Sequence, residues 1–202
     1  MQWIVGIDEV GRGALAGPVV VAAAAIPKGR SPRNFSLGPL KDSKKMTAKR
    51  REAWFAHCTG RPDVRLAVAR VYPRGIERLN ISNAANLAAK KAFLKLGKRL
   101  GIKASAPVFL DGGLFLGNGP QPINAKTVVK GDEKYPAIKI ASIAAKVIRD
   151  RYMCRLAKKY PAYGFEVHKG YGTKMHLGAI KKHGPAEPHR LTFQGNSAIM
   201  NA

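Results

Sequence analysis

Acidic residues are scarce: only 12 Asp and Glu stand against 36 Lys and Arg in 202 residues, a formal net charge of +24. Such an excess attracts polyanions, and nucleic acid is the first candidate. Charge alone gives only sequence-independent phosphate affinity, so a ribosomal or nucleoid-like binding protein would look the same at this level. Cysteine is nearly absent too. Cys58 and Cys154 lie far apart and form no CxxC pair, which excludes a zinc site of their own and a disulfide framework. They read as two buried or semi-exposed thiols in a reducing cytosol, so a cytoplasmic protein is expected. Long hydrophobic runs are missing. The most apolar segment extends only from Gly13 to Ile26 and contains a Gly-Pro pair, short of the ~20 residues that span a bilayer. It follows Asp8 and Glu9 rather than a basic segment, which excludes a signal peptide. There is no internal repeat and no low-complexity block.

What is present suits a folded domain. Hydrophobic residues make up 46% of the chain, enough for a core, and the length fits one domain over 1–202 with a small C-terminal segment from about 161. QWIVGID and GPVVVAAAAI read as strands, the second rich in small and β-branched residues, as in a strand covered on both faces. Residues 28–40 read as loop. A helix is predicted from Thr47, a candidate N-cap, then a third strand, VRLAVARVY, ended by Pro73. Ser82 to Leu100 forms a long helix with Leu87 and Leu94 on its apolar side and Lys90, Lys91 and Lys98 on its polar side. PVFLD (107–111) and AKTVVKG (125–131) are short strands, and Ala137 to Tyr160 is a second long helix. An aromatic, Gly-rich loop, a short helix KMHLGAIKKH and an irregular tail from Gly184 follow. Three strands first, then helices alternating with two more, predict an α/β fold. Its mixed sheet has about five strands, an antiparallel meander extended by parallel additions, with helices on both faces. That outline is ribonuclease H-like, but fold alone does not give function.

With so few acids, each position can be weighed. Asp42, Glu52, Asp63, Glu77, Glu166 and Glu187 sit in polar or helical contexts and are expected to be solvated. Asp8, Glu9 and Asp111 instead end apolar strands, IVGIDE and VFLD, and Asp132 follows KTVVKG in the same way. Parallel neighbours would bring such ends to one rim, where open α/β sheets place their sites. Gathered carboxylates repel unless a cation is present, and oxygen-only ligation suits Mg²⁺ or Mn²⁺. Two such ions can activate water and stabilise the leaving oxygen in phosphodiester hydrolysis. Neighbouring strand residues point to opposite faces, so the strand is expected to end or bulge at Glu9, with Gly11 and Gly13 permitting the turn. A backbone without Cβ at Gly11-Arg12-Gly13 could also approach a sugar or phosphate closely. The histidines near the C-terminus, His168, His176, His183 and His189, read as structural or phosphate-contact groups rather than a metal site.

The stretches GIDEVGRG, LAGPVV, DSKKMT, LDG, VVKGD, ASIAAKVIRD, HKGYGT and HRLTF run in order from Gly6 to Phe193. Together they resemble ribonuclease HII, the bacterial type 2 ribonuclease H. The resemblance implies metal-binding, catalytic carboxylates at Asp8, Glu9, Asp111 and Asp132, with two Mg²⁺ or Mn²⁺ ions as cofactors. Asp150 is the rival for the fourth place, but Ser142, Lys146 and Asp150 share a helix face, which predicts an Asp150–Lys146 pair. The resemblance further implies that the backbone of Gly11, Arg12 and Gly13 reads a 2′-hydroxyl, the group that tells RNA from DNA. It places Tyr171 on the deoxyribose that follows, and Lys44, Lys45, Lys146 and Lys169 on phosphates. The implied activity is hydrolysis of the RNA strand of RNA–DNA hybrids and nicking 5′ of single ribonucleotides in duplex DNA, by a monomer. Ala14 departs from the family's usual proline, Lys139 and Ile140 from its small residues, and the Gly-rich loop between Asp111 and Asp132 is long. A non-catalytic RNA-binding protein would share the charge but give no reason to gather acids at strand ends. Ribonuclease HIII usually carries an extra N-terminal domain, for which the residues before Asp8 leave no room. The tail GNSAIMNA offers no convincing sliding-clamp motif.

Overall fold

The computed structural model describes residues 2–34, 36–101 and 105–194. The chain runs β1 (Trp3–Val10), β2 (Val19–Pro27), a 3₁₀ turn (Ser43–Lys45), α1 (Ala48–Thr59), β3 (Arg65–Val71), α2 (Pro73–Leu79), α3 (Ile81–Leu100), β4 (Val108–Asp111) and β5 (Ala125–Val128). It continues through α4 (Gly131–Lys134), α5 (Pro136–Lys159), a 3₁₀ turn (Pro161–Tyr163), α6 (Phe165–His168), α7 (Lys174–His183) and α8 (Leu191–Gln194). The sheet order is β3-β2-β1-β4-β5. β1, β2 and β3 pair antiparallel, whereas β4 joins β1 and β5 joins β4 in parallel. This is the expected meander with parallel additions. No helix among the described residues is long and apolar enough to cross a membrane.

Local chemistry accounts for most element ends. The Thr47 hydroxyl accepts the Arg50 N–H and opens α1. Asn80 does the same for α3 through the Asn83 N–H, and Gly101 closes that helix in the left-handed conformation. Pro73 ends no more than a strand in the sequence reading, yet it opens α2, because a proline at the first helical position loses no hydrogen bond. The Gly-rich stretch after α5 and the tail likewise contain short helices, α6 and α8, not only loop.

Two apolar layers sandwich the sheet. On one face α3 presents Ala84, Ala85, Ala88, Ala89, Ala92 and Leu96 to Val5, Ile7, Val21 and Leu110. The packing face is therefore alanine. Leu94, expected on it, is 50% exposed on the other side, because small side chains let the helix axis lie close to the strands. On the other face α1 and α5 pack Trp54, Ala141, Ala144 and Ala145 against Ala22, Ala24 and Ile26.

The start of α5 lies against β1 at Gly6. A Cβ there would stand 2.3 Å from the Ala137 carbonyl carbon and the Ile138 nitrogen. Gly6→Ala is expected to lower stability by at least ~1–3 kcal/mol, the usual penalty of overpacking, read from the urea midpoint. An unchanged midpoint would contradict this contact, which also sets how near α5 comes to the end of β1.

Candidate active site

β1 pairs with β4 as far as Ile7 opposite Leu110. The next residues, Asp8 and Asp111, therefore end side by side on one rim. The strand neither stops nor bulges at Glu9. It continues in regular register, with Asp8 opposite Ala22, Glu9 opposite Val21 and Val10 opposite Val20. The strand stays paired with β2 through Val10, and with β4 ending at Asp111 the Asp111 charge acts on both Asp8 and Glu9 without a break in the strand. Asp132 is not at a strand end either. β5 stops at Val128, and Asp132 lies in the first turn of α4.

The partners of each carboxylate are specific. Asp8 is 5% exposed and accepts the Glu9 N–H at 2.7 Å. Ser142 of α5, whose hydroxyl lies 2.7 Å from that of Ser43, sits near Asp8 and favours its charged form. Asp111 Oδ1 accepts the N–H groups of Gly131 at 2.6 Å and Asp132 at 3.3 Å. Gly131 can approach because it lacks a Cβ, which would meet the end of Ile138 at 2.5 Å. Asp132 faces Lys44 Nζ at 3.5 Å. Asp150 is elsewhere, paired with Lys146 at 2.9 Å and with Arg51 at 3.9 Å. The structure thus brings Asp132, not Asp150, to Asp111.

These acids are poorly neutralised. Burial, then the neighbouring Glu9 and Asp111 charges, push Asp8 well above the usual carboxylate range against the pull of Ser142. Burial and Asp111 raise Glu9, although Arg12 opposes them. Burial and Asp132 raise Asp111. Arg12 reaches Glu9 Oε1 only at 3.5 Å, and Glu9 Oε2 is buried with no hydrogen-bond partner. An orphaned carboxylate oxygen among repelling acids suits a hard divalent cation. Among the described residues no three acidic, histidine or cysteine side chains are already closed around one point.

The Gly11-Arg12-Gly13 loop beside them is clamped from behind. Arg190, fully buried, donates to the carbonyls of Gly11 at 2.7 Å, Arg12 at 2.8 Å and Gly17 at 2.8 and 3.0 Å. Arg149, also fully buried, donates to Pro18, Lys169 and Ala16 at 2.9–3.1 Å. Burial, with Arg149 nearby, pulls the Arg190 guanidinium down to about 9, so it stays charged at neutral pH. Gly11 needs its left-handed φ of 89° and its bare Cα, since a Cβ would collide with Arg149. With the carbonyls turned inward, the amides of Arg12 and Gly13 find no protein acceptor among the described residues, and Gly13 faces open space. Arg149, Arg190, Ser43 and Ser142 were missed as site residues in the sequence. The only signal was their place inside VIRD, HRLTF, DSKK and ASI. Asp42, expected to be solvated, is buried and caps the 3₁₀ turn through the Lys44 N–H.

The lysines are scattered. Lys44 has an exposed side chain beside Asp132, Lys45 pairs with Glu133 at 3.0 Å, and Lys169 donates to the Glu166 carbonyl. Tyr171 is half-buried with Arg149 over its ring, 5.3 Å from the centroid. An open, net basic cleft of about 450 Å³ along α5, lined by Arg51, Arg151, Arg155, Lys158 and Lys169 with Glu52 and Asp150, contains none of the four carboxylates.

A five-stranded mixed sheet in this order, flanked by helices and carrying acids on one rim, is a ribonuclease H-like α/β fold. The chain is similar to the ribonuclease HII of Archaeoglobus fulgidus solved in complex with PCNA. The TM-score is 0.72 at 26% identity, covering 98% of this chain and 97% of that one. Bst-RNase HIII, solved with Mn²⁺, shares the fold at a TM-score of 0.73 and 18% identity, over 96% of this chain and 65% of that one. The sequence model of ribonuclease HII matches residues 5–196. The ribonuclease HII of Bacillus thuringiensis (strain Al Hakam) is 42% identical over 193 residues, 96% of this chain and 69% of that protein. The chain belongs to the ribonuclease HII family of hydrolytic ribonucleases. The tail Gly195–Ala202, where no clamp motif was found, lies outside the described residues.

Proposed function

We propose that this protein is an endonuclease that hydrolyses the RNA strand of RNA–DNA hybrids. It also nicks on the 5′ side of single ribonucleotides in duplex DNA, leaving 3′-hydroxyl and 5′-phosphate ends. The observation that carries the reading is the under-neutralised group of buried Asp8 with half-buried Glu9 and Asp111, and buried Asp132 beside it, next to a loop whose amides lie open. Asp8, Glu9, Asp111 and Asp132 would hold two Mg²⁺ or Mn²⁺ ions, which supply a lowered water pKa and charge balance on the leaving oxygen.

The protein's own groups do the positioning. The Glu9 N–H holds the Asp8 carboxylate, with Ser142 nearby favouring its charge, and the amides of Gly131 and Asp132 hold that of Asp111. The open amides of Arg12 and Gly13 suit the 2′-oxygen of a ribonucleotide, whose absence would leave them unpaired. Tyr171 offers its ring face to the deoxyribose that follows. Lys44, Lys45 and Lys146 would reach phosphates by turning from Asp132, Glu133 and Asp150, and Lys169 by turning from the Glu166 carbonyl. The cationic cleft along α5 adds sequence-independent attraction for the duplex. The reading is of a cytoplasmic monomer.

The test is digestion of a labelled RNA–DNA hybrid with Mg²⁺, Mn²⁺ or EDTA, followed by analysis of the ends. Fragments with extendable 3′-hydroxyls that form only with metal are expected. Binding of the hybrid without metal-dependent cutting would leave a basic nucleic-acid-binding protein instead.

A further inference from the structure

Three histidines with no part in hydrolysis lie buried behind Tyr171. His168, His176 and His189 are 7%, 0% and 2% exposed. The rings of His168 and His176 stack with centroids 4.3 Å apart, and the Nε2 atoms of His176 and His189 are 3.1 Å apart.

Their neighbours determine where the protons sit. The Tyr171 carbonyl can only accept, so His176 Nδ1, 3.0 Å away, carries a proton and donates it. A neutral His176 then has a bare Nε2, which must accept from His189 Nε2–H. His189 Nδ1 is therefore bare and accepts the Ala186 N–H at 2.9 Å. The Ala186 carbonyl, 3.0 Å from the same nitrogen, receives nothing from it. His168 is fixed in the same way. Its Nδ1 accepts the Gly170 N–H at 3.1 Å, and its Nε2–H donates to the Tyr163 carbonyl at 2.7 Å. Three neutral rings satisfy every partner, whereas an added proton would set two N–H groups against each other. Burial and the adjacent histidines hold His176 down at about 4, so it is neutral under physiological conditions.

The network ends on one residue. The Tyr171 carbonyl takes His176 and the Thr173 N–H at 2.8 Å, while its own N–H donates to the His168 carbonyl at 3.0 Å. The preceding Gly170 carbonyl accepts the N–H groups of Leu15 at 2.8 Å and Ala16 at 3.3 Å, which tie it to the chain just after Gly11-Arg12-Gly13. The backbone of Tyr171 is thus fully held while its ring stays half-exposed. A purely structural core would be served more simply by apolar residues, since a buried polar network tolerates no missing partner.

We propose that His176, set by His189 and backed by His168, is a positioning residue for Tyr171. It fixes the ring against the ribonucleotide-reading loop and so sets the preference for a ribonucleotide followed by DNA over a continuous hybrid. This rests on the function proposed above.

The experiment compares kcat/KM on a duplex with one embedded ribonucleotide and on a continuous RNA–DNA hybrid. The proteins are the wild type, His176→Asn, His176→Leu, Tyr171→Ala and the His176→Leu/Tyr171→Ala double variant. Asparagine keeps a donor near the Nδ1 position; leucine removes it. His176→Leu is expected to lower the single-ribonucleotide value roughly tenfold while the hybrid value changes less than about twofold, and the double variant should match Tyr171→Ala alone. His176→Asn should retain most of the wild-type ratio, which also keeps the test valid if the leucine variant folds poorly. Equal losses on both substrates, an asparagine variant as unselective as the leucine one, or additive effects in the double variant would overturn the inference. A wild-type protein that cuts neither substrate would overturn the functional reading, and this inference with it.

Discussion

Asp8→Asn is expected to cut the cleavage rate by about three orders of magnitude or more, because loss of a metal-holding carboxylate removes several kcal/mol of transition-state stabilisation. In metal-free buffer the same substitution should make the protein more stable. The folded carboxyl of Asp8 lies well above its ordinary 3.8, through burial and the charges of Glu9 and Asp111. A group raised in this way contributes stability that is present below pH 3.8 and is lost as the pH rises through its folded value. At neutral pH the charge is therefore a cost, and asparagine removes it. A gain of about 1–2 kcal/mol would appear as a Tm higher by roughly 3–6 °C for a chain of this size. Added Mg²⁺ or Mn²⁺ should raise the wild-type Tm, since a ligand that binds only the folded state stabilises it, and should raise that of the variant less. Thermal unfolding in EDTA at pH 5 and pH 8, beside cleavage rates, reads both effects. An inactive variant less stable than the wild type at pH 8 would show that Asp8 serves the fold rather than the site.

Arg190 should behave in the opposite way. Its guanidinium holds the carbonyls of Gly11, Arg12 and Gly17 from a fully buried position. Arg190→Ala leaves them without partners, each costing about 1–3 kcal/mol when buried, and a total loss of about 3–5 kcal/mol is expected from the urea midpoint. Arg190→Lys keeps the charge but not the planar fork that reaches several acceptors at once. It should recover less than half of the lost stability and little of the cleavage. Full recovery by lysine would mean that charge, not the geometry of the clamp, is what the loop requires.

Much of this arrangement was legible in the sequence. The three-then-two strand order, the Thr47 cap and the gathering of acids at strand ends follow from periodicity, turn residues and the rarity of Asp and Glu. The expected pairing of Asp150 with Lys146 follows from helical spacing alone. What escaped is what depends on neighbours distant in sequence. The strand runs straight through Glu9 because it stays paired with β2 as far as Val10, a fact of sheet register. The buried face of α3 is mostly alanine, with Leu96 at its far end, because the sheet lies close. Arg149 and Arg190 read as two more cations in a chain full of them, and only the fold turns them inward onto carbonyls. The histidines were separated from the metal question, but their closure behind Tyr171 depends on how α6, α7 and the segment after α7 pack together.

The most direct measurement is cleavage of an end-labelled DNA duplex carrying one internal ribonucleotide. It would be run with Mg²⁺, Mn²⁺ or EDTA, for the wild type and Asp111→Asn, beside an all-DNA duplex. A single nick on the 5′ side of the ribonucleotide is expected, absent with EDTA, on the all-DNA duplex and with the variant. A nick that survives EDTA or the Asp111 substitution, or tight binding with no nick at all, would contradict the assignment of the carboxylate rim as the site of hydrolysis.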